Sequence, residues 1–240
     1  MLRSFLTTLC LSLQIAVTCP AIWAQTSTPV GGPYRAFTAK LKDTYFAEDG
    51  GPEIFLGTFY RKADGSFSRI EETESWGNER GVVTYILDVP TRTYVEVDSF
   101  INAALVMHRS ASAAQNLLVW SGVYDPANPS IQVGESEKFG LRTLEMEDRI
   151  TPKLIARTWM APDLQRFPLL DLLIENGELR TKKEVLSIEF GEPDAAAFRV
   201  PAGFQVVGPV KFDELWRQRG HSHFGEEKAK QLEREDAENR

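Results

Sequence analysis

The stretch that most constrains the fold runs from Arg157 to Val207. A run ending in Trp159 meets the corner Ala161-Pro162-Asp163, and an apolar run then extends from Pro168 to Glu175. Asn176-Gly177 follows, a pair that tolerates the positive φ of a tight hairpin turn. The return runs from Leu179 to Phe190 and is broken by Gly191-Glu192-Pro193-Asp194. Phe198 and Pro201 lead to a last short run, Gly203 to Val207. The pattern reads as a long antiparallel hairpin with a proline-ended cap. Within the return, Leu179 and Val185 fall on one face and Leu186, Ile188 and Phe190 on the other. That change of phase predicts a bulge.

Short extended runs also fill the first half. They are Tyr34 to Phe46, Glu53 to Lys62, Phe67 to Glu74, Val82 to Leu87 and Thr93 to Asp98. Asp64-Gly65 turns one pair and Val89-Pro90 another, so a meander of antiparallel neighbours is expected. Phe100 to Met107 fits strand or helix, and the alanines from His108 to Gln115 suit a short surface helix. Leu117 to Trp120 is apolar, and Tyr124 to Pro129 reads as a loop. Order returns at Phe139 to Arg149 and Leu154 to Met160. Val210 to Arg219 spaces Phe212, Leu215 and Trp216 as one helical face. The fold class expected is mostly β: a curved antiparallel sheet or half-barrel with a few short helices.

The N-terminus reads as an export segment over residues 1–24. Arg3 precedes a short apolar run, and Ala24 suits cleavage before Gln25. The alternatives are a lipidated Cys19 or a retained anchor. Residues 25–33 form a Thr-, Pro- and Gly-containing linker, residues 34–219 the β domain and residues 220–240 a charged tail, expected to be exposed. Cys10 and Cys19 both fall in the export segment, so the exported form has no thiol chemistry and no disulfide framework. A net charge of −7 excludes the basic footprint of a nucleic-acid binder. A periplasmic or secreted location follows from this reading.

The C-terminal pattern resembles the periplasmic lipoprotein-carrier superfamily. Trp159, Pro162, Asn176-Gly177, Gly191-Glu192-Pro193-Asp194, Phe198 and Pro201-Ala202-Gly203 carry the resemblance. Gly57-Thr58-Phe59 and its return resemble the family's early hairpin. The resemblance implies an incomplete barrel with helices on its concave side, and an Arg facing the cavity at Arg69.

No catalytic set is visible. Gly-x-Ser-x-Gly is absent, as is a Gly-rich phosphate loop. Glu71-Glu72 and Glu145/Glu147 read as solvated strand faces rather than acid–base pairs. His221 and His223 lack a third ligand and read as solvated, and His108 reads as a surface residue. No metal and no cofactor is expected.

Aromatic side chains are the most suggestive feature. Phe55, Phe59, Tyr60, Phe67, Trp76, Tyr85, Tyr94, Trp120 and Trp159 lie on or near strands. Phe55 and Phe59 share one face with Gly57 between them. A half-barrel could line its concave side with such residues, although a filled core uses the same types. The expected ligand-binding set is Phe55, Phe59, Phe67, Arg69, Tyr85 and Trp159. The expected function is non-enzymatic: an envelope protein holding a lipid, a lipoprotein acyl chain or another apolar ligand. The alternative is a structural or protein-interaction module with a filled core and an envelope protein as partner.

Overall fold

The computed structural model describes residues 34–47, 51–74, 79–110 and 131–240. The expected export segment and linker, Trp76, the 111–115 part of the expected helix, the Leu117 to Trp120 run and the expected Tyr124 to Pro129 loop lie outside them. The described residues form twelve strands of one open, curved sheet. These are β1 (Phe37–Tyr45), β2 (Glu53–Arg61), β3 (Phe67–Glu74), β4 (Arg80–Asp88), β5 (Thr93–Asp98) and β6 (Ala103–His108). Then come β7 (Ile131–Lys138), β8 (Leu141–Thr151), β9 (Leu154–Ala161), β10 (Phe167–Glu175), β11 (Glu178–Phe190) and β12 (Gln205–Val207). Two helices follow, α1 (Pro209–Gln218) and α2 (Glu226–Asn239).

The strand order is β12-β6-β5-β4-β3-β2-β1-β11-β10-β9-β8-β7. Two meanders, β1–β6 and β7–β11, join at the β1–β11 pair. Every pairing is antiparallel except β12, which runs parallel to β6. The expected fold class therefore holds, with one parallel pair added. The Phe100 to Met107 ambiguity resolves as strand. Asn176 (φ 54°) and Gly177 (φ 84°) turn β10 into β11. Both values are positive, as a two-residue hairpin of this kind requires. The phase change in the return strand is a real irregularity. Pairing of β1 with β11 slips between Lys40 and Leu41, and pairing of β10 with β11 slips between Leu173 and Ile174.

One face, called inner here, carries the main core. Phe37, Phe59, Phe67, Leu87, Leu164, Phe167, Leu169 and Val185 pack together at one end of the strands. A second cluster lies at the β6 end, where Ala103, Leu105, Met107 and Val207 meet Phe212 of α1 and Leu232 of α2. Phe212, Leu215 and Trp216 do share the packed face of α1.

The C-terminal residues depart from the exposed tail expected of them. Ala229, Leu232 and Asp236 of α2 are buried. Asp236 accepts the His108 backbone N–H at 2.6 Å and sits 3.2 Å from His108 Nδ1. A helix poor in apolar residues thus docks through two apolar side chains and one satisfied carboxylate.

Candidate functional site

Register across the sheet places the inner-face residues in rows. Ala39, Phe59, Arg69, Tyr85, Glu96 and Leu105 are direct partners in turn. The next row runs Leu41, Gly57, Glu71, Val83, Asp98 and Ala103. The row after it runs Thr158, Asp171, Lys183, Asp43 and Phe55. Side chains alternate along a strand, so each row shares one face.

At one end of these rows the aromatics are sealed. Phe59 is 2% exposed, and its ring lies 5.7 Å from Phe37, 5.7 Å from Phe67 and 4.8 Å from Phe167. Arg61 is buried among the same rings, 5.3 Å from the Phe59 centroid, and its Nη1 donates to Leu164 O at 3.2 Å. Burial lowers its pKa to about 10. A guanidinium so placed fixes the Pro162–Leu164 corner by hydrogen bonding and by cation–π contact.

Beyond the plug the inner face becomes a belt of charge. Arg69 pairs with Glu71 and approaches Asp43 Oδ2 at 3.6 Å. Lys183 Nζ lies 3.5 Å from the same Asp43 oxygen. Asp171 stands opposite Lys183 and accepts a hydrogen bond from Thr158. Burial raises the Glu71 and Asp171 carboxyls, against the pull of Arg69 and Lys183. For Lys183, burial acts downward, but Tyr45, Asp43 and Glu71 outweigh it and the pKa is raised. The belt continues across Tyr85 to Glu96, where the Tyr94 hydroxyl donates to Glu96 Oε2 at 3.2 Å. Burial, followed by the Glu96 charge, pushes both phenols well above their usual range.

At the rim beyond the belt Phe55, itself buried, meets Tyr45 edge-on at 5.7 Å, with the Arg80 guanidinium 5.4 Å from its ring centre. Between rim and plug, Leu41, Asp43, Phe55, Gly57, Arg69 and Glu71 enclose a cavity of about 10 Å³. That is room for one water, far below the few hundred Å³ of a ligand pocket. Gly57 suits the site, because a Cβ would stand 3.0 Å from Ile70 O, a tight contact with backbone.

Five of the six expected site residues share this inner face. Phe59 and Phe67 belong to the sealed plug, Arg69 and Tyr85 to the belt, and Phe55 to the rim. Trp159 is the exception. It stands in the row Lys42, Glu184, Leu170, Trp159, Glu145, on the opposite face. The adjacent Thr158 bonds Asp171 on the inner side, so alternation turns Trp159 outward.

The imidazole of His223 also departs from expectation. It is largely buried and lies 3.1 Å from Glu96 Oε1. Among the described residues no three His, Cys, Asp or Glu side chains are grouped to hold a metal. The belt itself was missed, although a signal for it exists. Asp43 is in phase with Phe37, Ala39 and Leu41, and Arg69 and Glu71 are in phase with Phe67, so period-two alternation carries charge onto the core side.

No family model matches the chain, and no curated protein matches it. Solved structures similar to it include an uncharacterized conserved protein from Thermus thermophilus, at 12% identity and TM-score 0.47, covering 73% of this chain and 91% of that one. A complex of MucA and MucB from Pseudomonas aeruginosa is similar at 17% identity and TM-score 0.37; the match covers 72% of this chain and 58% of that chain. A LolA superfamily protein from Nitrosomonas europaea is similar at 7% identity and TM-score 0.32, covering 70% of this chain and 91% of that one.

Proposed function

We propose that the chain is an exported, non-enzymatic binding protein of the cell envelope. Its ligand is amphipathic, a lipid or an acylated protein, held at the open rim of the inner face. The observation that carries this reading is the change of character along the inner face. Apolar rim residues (Tyr45, Phe55, Leu173) adjoin a belt of fixed charges, Asp43, Arg69, Asp171 and Lys183, and the sealed Phe plug lies beyond it. A polar head group finds both signs of charge in the belt, while its apolar part covers the rim. An acyl chain pushed deeper would have to separate those paired charges and would then meet the sealed Phe plug.

The 10 Å³ cavity favours a second reading, an interaction module with a filled interior that binds an envelope protein. Native mass spectrometry of protein purified from its own envelope separates the two. The first reading expects a lipid adduct, and titration of a fluorescent fatty acid at micromolar concentration should saturate. In Arg69→Gln, affinity for that probe should fall about tenfold, the worth of one charged contact. Absence of both adduct and probe binding removes the lipid reading and leaves the interaction module.

A further inference from the structure

The turn between α1 and α2 is built around one carboxylate. Asp213 Oδ1 accepts from Ser222 Oγ at 2.9 Å, from Phe224 N at 2.9 Å and from Gly225 N at 3.3 Å. Its Oδ2 lies 3.1 Å from Arg217 Nε. This arrangement drives His223 down onto the sheet. Its ring stacks on Trp216 at 6.0 Å and 16°, and meets Phe212 and Phe224 edge-on at 5.3 and 4.4 Å. Nε2 reaches Glu96 of β5. Glu96 and Asp98 of β5 and Asp213 of α1 act on the imidazole. Tyr94 of β5 and Tyr85 of β4 bear in turn on Glu96, and Arg109 acts on Tyr94. Negative charge dominates this surround.

We propose that His223, wedged between Glu96 and the rings of α1 and its turn, is a proton-linked latch. It holds α1 and α2 over β5 and β6 in mild acid and loosens them in alkali.

Two groups give the latch its sign. Burial alone would lower the His223 pKa. The Glu96 hydrogen bond and charge, with Asp98 and Asp213, outweigh burial and raise it above 6.5. Its contribution is therefore full below pH 6.5 and lost as pH climbs through the raised folded value. Asp98 is buried, and burial lifts its carboxyl to about 6 against the Phe100 N–H that it accepts at 2.7 Å. The charged form of Asp98 is disfavoured in the docked state, so its unfavourable contribution fades as pH falls from about 6 towards 3.8. Docking takes up protons at both sites, and both favour the docked state in acid. Loosening exposes Leu105, Met107 and Val207 on the sheet, and Phe212 and Leu232 on the helices.

Hydrogen exchange of the full chain, corrected for intrinsic rates, tests the latch between pH 5.5 and 8.5. Protection of α1 and α2 should fall about tenfold across that range while β1 to β3 hold theirs. His223→Gln keeps a donor but loses the charge, so its helices should show weak protection that no longer varies from pH 6.5 to 8.5. Asp98→Asn can still accept from Phe100 N, and it should lower the pKa of the His223 ring, because the Asp98 charge helps to raise it. It serves as the second variant if His223→Gln does not fold. NMR titration of the wild-type His223 ring should give a pKa above 6.5. A ring that titrates at or below 6.5, a flat wild-type profile, or the same slope in His223→Gln would overturn the proposal.

Discussion

Phe59 decides between a lined cavity and a filled one at the level of a single side chain. Three Phe rings and the Arg61 guanidinium surround it, leaving no opening through which water could reach a charge at that position. Phe59→Asp should therefore cost at least about 4 kcal/mol, combining lost ring packing with an unpaired buried carboxylate. Set against a total stability of about 5–15 kcal/mol, that unfolds much of the population, which far-UV circular dichroism and thermal melting will register. A variant that stays folded with an unchanged midpoint would show a hydrated cavity instead. That Phe55 and Phe59 share a face was legible in the sequence, because strand alternation fixes it. Whether that face is sealed was not legible, since a cavity wall and a core use the same residue types. Trp159 was misplaced for a related reason. Alternation assigns it a face within β9 but says nothing of how β9 registers against β10 and β11. His223 escaped because its partner, Glu96, is far away in sequence.

Elements were read well where they are covered on one face, and poorly elsewhere. β1 to β5 and β8 to β11 alternate against a core or pair through marked turns, and the hairpin at Asn176-Gly177 announces itself through its turn chemistry. β7 was missed because Ile131–Lys138 is exposed on both faces and so shows no hydrophobic period. The β12–β6 pair was missed because a parallel closure between distant segments leaves no local signature. The α2 sequence reads as an exposed tail because its packed face, Ala229, Leu232 and Asp236, includes a carboxylate that binds β6. Leu232 is 6% exposed within the second core cluster. Leu232→Ala should accordingly cost about 2–3 kcal/mol and lower the thermal midpoint, as cavity-forming substitutions do. An unaltered midpoint would return α2 to the status of a loose tail.

At the scale of the molecule, an open sheet of twelve strands must end somewhere, and an exposed edge is a template for pairing with another chain. One end is the three-residue β12, too short to recruit a partner strand, with α1 following at once. The other end is β7, eight residues long, which among the described residues pairs only with β8. Ile131 and Val133 are 64% and 49% exposed there, so among the described residues this edge presents both unpaired backbone and apolar side chains. Two features oppose self-pairing. The β7–β8 register slips between Gln132 and Gly134, which bends the edge. Glu135, Glu137 and Lys138 then place charge along the remaining length, and Glu135 is tied to Arg142 by an exposed ion pair at 2.6 Å. That ion pair, exposed and screened by solvent, contributes little to stability. Its carboxylate matters more as a charge that an incoming strand would have to desolvate. Replacing Glu135 and Glu137 together by Val should leave the fold intact and increase β propensity along the edge. Light scattering should then show association that grows with protein concentration, with wild type unchanged over the same range. A double variant that stays monomeric would mean that the bulge alone protects this edge.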